Sequence, residues 1–245
     1  MKILTTITYY QPYISGLTIF AVRLAKTLAL QGHEVKVLTS QYDTSLPIEE
    51  VIDGVTVIRV PVTLRISKGV IMAGWQKKVN DLVAWADVVQ SHLPEFEAAQ
   101  VAMTAKKQRK PYIATYHCDL VMPRGLVSKA ANLGMNLMTG ISLKNADVVV
   151  PTSMDYAKHS RVLPKYLQKV EVIPPPIEQP LITQQTAAEF RERTNPEDAR
   201  PVVGIAGRFA AEKGIEVLLN ALPRILEVFP KAMVMFSGPY KKIIG

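Results

Sequence analysis

Seven short β-type runs punctuate the first 173 residues, and most are separated by stretches long enough for a helix. They are Lys2–Thr6, Val35–Leu38, Asp53–Pro61, Asp87–Gln90, Tyr112–Thr115, Asp147–Val150 and Val170–Ile173. Between the first two, Phe20, Leu24 and Leu28 recur four apart, which is helical spacing, and Gly32 follows where a helix favours a glycine stop. Consecutive parallel strands need a crossover connection, and a helix supplies it. The alternation therefore predicts an α/β fold with a doubly wound parallel sheet and helices on both faces.

The pattern breaks at "PPPIEQP", where four prolines fall within seven residues. Such a segment continues neither a strand nor a helix and stiffens into an extended linker. The domain boundary is placed there, giving residues 1–178 and 179–245. After a short helical piece the opening motif returns in "RPVVGIAGRFAAEKGIEVLLNALPRIL": strand, glycine-containing loop, helix. "AMVMFSG" supplies one more strand. One helix and two strands cannot cover both faces of a sheet, so the second domain is expected to be incomplete.

Hydrophobic residues make up 48% of the chain and charged ones 20%, enough for a core and unlike a disordered chain. The single cysteine, Cys118, excludes a disulfide framework and fits a reducing compartment. "MKILTTITYY" lacks the apolar core of a signal peptide, and no run approaches the roughly 18 apolar residues of a membrane span. A cytoplasmic protein is expected. Its net charge of +8 suits an anionic partner, or a solvated basic surface.

Candidate chemistry collects at strand ends. Arg208 and Lys213 flank the loop "GRFAAEKG", between a strand and a helix start. A helix N-terminus favours anions, arginine adds a planar fork and lysine a point charge, so the pair suits a diphosphate. Two cations solvating a turn would read the same. The loop carrying Gly16 precedes the first helix: it could bring backbone N–H groups to a phosphate, or the glycine could only serve the turn. No G-x-G-x-x-G or G-x-x-x-x-G-K-[ST] motif occurs, which disfavours a nicotinamide enzyme or a P-loop NTPase. His92 and His117 each follow a strand and could face one crevice, binding a sugar hydroxyl or moving a proton. Tyr10 and His92 are the candidates for the acceptor side of that crevice. Four scattered histidines and one cysteine offer no metal-ligand spacing, so no metal and no cofactor are expected.

The stretch "RISKGVIMAGWQKK" mixes cations with apolar residues. Arg65, Lys68, Lys77 and Lys78 with Trp75 would suit an anionic membrane face, or an ordinary surface helix. Nucleic acid is disfavoured, because aromatic residues do not interleave with the basic runs.

Together "YYQPYISG", "LAKTLALQGHEVKVLT", "DGVTVIRVP", "SHLP", "PYIATYHCDL", "ADVVVPTS", "VEVIPPPI" and "VVGIAGRFAAEKGIEVLLNAL" resemble the retaining GT-B glycosyltransferases of family 4 (group 1). The resemblance implies two Rossmann-like domains, the first binding an acceptor and the second a nucleotide-diphosphate sugar. It implies that Arg208 and Lys213 hold the donor diphosphate, that Gly16 approaches the phosphates or the sugar, and that catalytic His117 positions the donor sugar. Sugar would pass to a lipid-linked or saccharide acceptor with retention and without metal, in a protein peripheral on the inner membrane face. Ser15-Gly16 stands where the family often has Gly-Gly, and the family's paired glutamates have no counterpart here. The chain as given is therefore expected to be incomplete and inactive alone. An isolated acceptor- or membrane-binding module, and a sugar-nucleotide epimerase of the same fold, are the competing readings.

Overall fold

The computed structural model describes residues 1–66, 69–120, 126–210 and 213–238. The chain divides into two compact units, Met1–Ile177 and Glu178–Gly245. In the first unit the elements run β1 (Lys2–Thr6), α1 (Gly16–Leu30), β2 (Glu34–Gln41), β3 (Glu49–Ile52) and β4 (Val55–Pro61). There follow β5 (Leu64–Ile66), β6 (Gly69–Ile71), α2 (Trp75–Trp85), β7 (Val88–Leu93), α3 (Ala98–Lys107) and β8 (Tyr112–Tyr116). Next come α4 (Leu126–Asn145), β9 (Val148–Pro151), α5 (Met154–His159) and a 3-10 turn over Leu163–Lys169.

Seven strands form one sheet in the order β3-β4-β2-β1-β7-β8-β9. All neighbours pair in parallel except β3 with β4. The chain winds outward from β1 to β2 on one side, then returns to place β7 against the other side of β1. That reversal opens a crevice at the C-terminal ends of β1 and β7, where open α/β sheets bind ligands.

Side chains alternate across the sheet, as the strand period of two requires. Ile3, Val35, Val37, Val55 and Val57 meet Ala21 and Ala25 of α1 on one face. Leu4, Leu38, Ile58 and Val89 meet α2 and α3 on the other, with Trp75, Val79, Val101 and Ala105. Helix α1 starts on a Ser15 cap, whose hydroxyl accepts from the Thr18 N–H at 3.1 Å. It stops in a Schellman motif: Gly32 takes φ +83, its N–H donates to Ala29 O, and the His33 N–H donates to Leu28 O.

Two strand expectations need correction. Asp53–Pro61 is not one strand: Asp53 and Gly54, with φ of 52 and 79, form the two-residue turn between antiparallel β3 and β4. Val170–Ile173 forms no strand, only an isolated parallel bridge of Val170 to Val149. The prolines that follow leave it no room to extend the ladder.

The second unit contains α6 (Gln184–Thr194), β10 (Val202–Ala206), α7 (Ile215–Val228) and β11 (Met233–Ser237). β10 and β11 pair in parallel, which makes β10-α7-β11 a single βαβ crossover.

Candidate functional site

The crevice beside β1 gathers a compact set of polar side chains. His92 lies within β7 rather than after it, and is buried. His117 follows β8, and its Nε2 lies 2.9 Å from His92 Nδ1. The rings are nearly parallel, with centroids 5.2 Å apart. Phe20, in the first turns of α1, packs edge-on against both, 4.7 Å from His117 and 5.8 Å from His92. The N-terminal part of α1 is therefore pinned against the histidine pair. Burial pulls the His117 pKa down to about 4. Burial, then the neighbouring His117, holds His92 well below the usual imidazole range. Both rings are neutral near pH 7, one nitrogen donating and the other accepting.

Beneath them, Thr6 at the end of β1 shares a 2.7 Å hydrogen bond with Ser91, and its hydroxyl donates to Glu95 Oε2 at 3.0 Å. Glu95 is fully buried; burial, reinforced by Glu97, pushes its pKa well above the carboxylate range. Burial raises Glu97 to about 7. Neither glutamate figured in the sequence reading. The available signal was two carboxylates, one residue apart, directly after a strand end in "SHLPEFE".

Further along the same edge, Asp119 accepts from the Tyr116 and Ser160 hydroxyls at 2.8 and 2.7 Å and from the Arg161 N–H at 2.9 Å. Burial opposes its ionisation, yet these donors outweigh it and the pKa is lowered. Asp119 forms the wall of a cavity of about 540 Å³, lined also by Pro94, Tyr116, Asn136, Arg161 and Tyr166. Cys118 is exposed. Among the described residues no cluster of three metal-ligating side chains occurs.

Gly16 is the first residue of α1, directly after the Ser15 cap. Its φ lies outside the left-handed region, and a Cβ built there meets nothing within 4 Å. Neither the turn nor local packing demands a glycine, so the space above the helix N-terminus is open. Tyr10 does not line the crevice. It is 1% exposed, packed under α1 with Ile7, Val35 and Val57, so the cleft reading of Tyr10 is corrected. Its neighbour Tyr9 faces the other way, stacking on Tyr13 at 4.8 Å, with Tyr42 edge-on to both. Tyr9 packs on the side of the sheet that α2 and α3 cover, and Tyr10 on the side of α1.

The basic surface also changes. Trp75 is not at an interface: it is 2% exposed, in the core with Val79 and Val83. An aromatic at the first position of an amphipathic helix fills the hollow above the sheet better than it serves solvent. Arg65 lies on the β5–β6 hairpin, where its guanidinium donates to Tyr42 O. Lys77 and Lys78 are exposed on α2. Lys68 lies outside the described residues. The second tryptophan, Trp85, lies beneath the Lys36 ammonium at 4.2 Å. Among the described residues no helix is long and apolar enough to cross a membrane.

In the second unit, Arg208 and Lys213 flank the β10–α7 turn and are both exposed. Lys213 donates its N–H to Ala210 O, and Gly214, at φ +66, starts α7. Only glycine takes that left-handed position at no cost, and it sets the free N–H groups of α7 beside Lys213.

A relative in Methanocaldococcus jannaschii, named an uncharacterized glycosyltransferase, is 30% identical over 240 residues. The alignment takes in 93% of this chain and 60% of that protein. The alpha-monoglucosyldiacylglycerol synthase of Acholeplasma laidlawii is 26% identical, over 96% of this chain and 63% of its own. The chain thus spans less than two thirds of these relatives' length. Among solved structures, Anabaena HepE in complex with UDP and glucose superposes with a TM-score of 0.63 at 15% identity, covering 98% of this chain and 62% of that one. A UDP-forming trehalose-phosphate synthase from Burkholderia xenovorans superposes at 0.58 and 14%, covering 98% and 64%. These neighbours are GT-B glycosyltransferases, and the α/β fold with its mainly parallel sheet is theirs. The family model described as Glycosyltransferase Family 4 matches residues 14–179, more than half of the chain, and the chain belongs to that family.

Proposed function

We propose that the protein transfers a sugar from a nucleotide-diphosphate sugar to a lipid-linked or saccharide acceptor, with retention of anomeric configuration and without a bound metal. The observation that carries this reading is the neutral His92–His117 pair, clamped by Phe20 beside the start of α1 at the sheet's switch point. The first N–H groups of α1, under an open Gly16, favour a phosphate oxygen. His117 offers a hydrogen bond to a hydroxyl of the donor sugar. In the second unit, Arg208 and Lys213 hold the diphosphate and stabilise the charge that develops as it leaves. Retention requires the acceptor hydroxyl to attack from the face the diphosphate vacates, which is a demand on orientation.

The Acholeplasma relative's name makes a diacylglycerol acceptor the first to try. UDP-glucose, the ligand named with an Anabaena HepE structure, is the first donor. A lipid acceptor would bring the protein to the cytoplasmic face of a membrane.

The test incubates the purified complete gene product with UDP-glucose and diacylglycerol vesicles in the presence of a chelator. The product is followed by mass spectrometry and its anomeric proton by NMR. An α-linked product is expected. Arg208→Ala and Lys213→Ala should each lower kcat/KM about a hundredfold, equivalent to roughly 3 kcal/mol of transition-state stabilisation. A β-linked product, dependence on added metal, or full activity in both variants would overturn the proposal.

A further inference from the structure

Three tyrosines cluster on the first unit at the C-terminal edge of the sheet. Tyr9 and Tyr13 come from the loop after β1, and Tyr42 directly follows β2. Tyr9 and Tyr13 stack, 4.8 Å apart and 26° from parallel. Tyr42 meets them edge-on at 5.7 and 5.6 Å. Tyr13 is 40% exposed despite these contacts. One cationic group adjoins the cluster: the Arg65 guanidinium donates to Tyr42 O. The loop is fixed to the site, because the Thr18 hydroxyl in the first turn of α1 donates to Tyr9 O at 3.2 Å.

We infer that Tyr9, Tyr13 and Tyr42, with Arg65 at their rim, form a subsite for a pyranose ring of the acceptor. A pyranose has an apolar C–H face and an equatorial ring of hydroxyls. The face packs on phenol rings, whose negative π-surface suits C–H groups. The hydroxyls need donors and acceptors at the edge, which a guanidinium and phenolic O–H groups supply. An acyl chain fits less well. It would cover the same polar groups and satisfy none of them, leaving a polar group without a partner. The subsite therefore favours an acceptor that already carries a sugar, with either a lipid or a saccharide as its remaining part, and a glucosylated diacylglycerol should be used with a lower KM than diacylglycerol itself. The inference rests on the proposed transfer reaction for the word acceptor, and on the tyrosine cluster for the sugar.

The test has a binding arm and an activity arm. Protein labelled at tyrosine is titrated with methyl α-glucopyranoside and with maltose in the absence of donor, and followed by NMR. Saturable shifts of Tyr13 and Tyr42 signals in the millimolar range are expected. The Tyr42 shift should vanish in Tyr13→Ala and persist in Tyr13→Trp and in His117→Ala. Unchanged far-UV circular dichroism checks that each variant is folded. In the transfer assay with a glycosylated acceptor, Tyr13→Ala should raise acceptor KM about tenfold and leave donor KM unchanged, as loss of one stacking face predicts. No saturable shift, equal shifts in Tyr13→Ala, or shifts with uridine instead of glycosides would overturn the subsite. Transfer that is indifferent to Tyr13→Ala would overturn the subsite and leave the reaction standing. Glycoside binding abolished by Tyr13→Ala in a protein that transfers nothing would overturn the reaction and leave the subsite.

Discussion

Glu97 carries a pH signature that can be isolated. Burial raises its pKa from 4.5 to about 7, so the folded chain keeps a proton that the unfolded chain releases between those values. Stability contributed at this site therefore falls as pH rises through that window and levels off above it. The gap corresponds to on the order of 3 kcal/mol. His92 and His117 act with the opposite sign, because lowered imidazole pKa values make the unfolded chain the one that binds protons on the acid side. The difference between variant and parent thus carries the test. Glu97→Gln should gain stability relative to the parent between about pH 5 and about pH 7.5, measured by urea unfolding. Both tryptophans lie in the first unit, so their fluorescence reports that unit. A constant difference across the window would mean that Glu97 ionises normally in the fold.

The start of α1 combines a structural cap with a proposed phosphate contact, and two substitutions separate them. Ser15→Ala removes the hydroxyl that accepts from Thr18 N–H and should cost about 1 kcal/mol in urea unfolding. Gly16→Ala removes no hydrogen bond, and its Cβ meets nothing within 4 Å. By restricting the unfolded chain it should leave stability unchanged or raise it by up to about 1 kcal/mol. In the transfer assay the ranking reverses. Gly16→Ala should raise donor KM, because its methyl occupies the space a phosphate needs, while Ser15→Ala affects turnover less. A Gly16→Ala enzyme with parental donor KM would remove the phosphate from this helix.

Across the whole chain the +8 charge is unevenly placed. With Trp75 buried, the α2 surface offers Lys77 and Lys78 as its exposed cations. At the N-terminal edge of the sheet, Lys106, Arg109, Lys110, Lys144 and Lys169 line a groove of about 670 Å³. Much of that charge is already engaged, since Lys169 donates to the carbonyls of Leu143, Lys144 and Ala146 at the end of α4, and Lys110 to Ala86 O. Docking on anionic lipid, which the proposed lipid acceptor requires, should therefore run through α2. Each cation contributes about 1 kcal/mol at most, screened by salt, so attachment is reversible. Vesicle sedimentation should show binding to anionic lipid that weakens with salt and is lost when Lys77 and Lys78 become glutamine. Binding that survives this change but fails when Lys106 and Arg109 become glutamine would assign docking to the opposite edge.

The alternation of strands and helices, the glycine stop of α1 and the placing of His92 and His117 at strand ends are local properties, and one-dimensional pattern is sufficient to read them. Spacing sets which residues share a face, and glycine or proline sets where an element stops. The β3–β4 hairpin was also written locally, in Asp53-Gly54, but the run after it is β-branched enough to hide the turn. Other features depend on which distant segments become neighbours. That β7 lies against β1, 85 residues away between Thr6 and Ser91, follows from the sheet's winding and not from any pattern in either strand. Only that pairing joins Thr6 to Ser91 and Glu95, and only the next one sets His117 on His92. The same holds for Tyr10 against Tyr9, and for Trp75. Sequence supplies an aromatic with an apolar body and a polar tip, and the space left between helix and sheet decides whether it fills the core or faces a ligand.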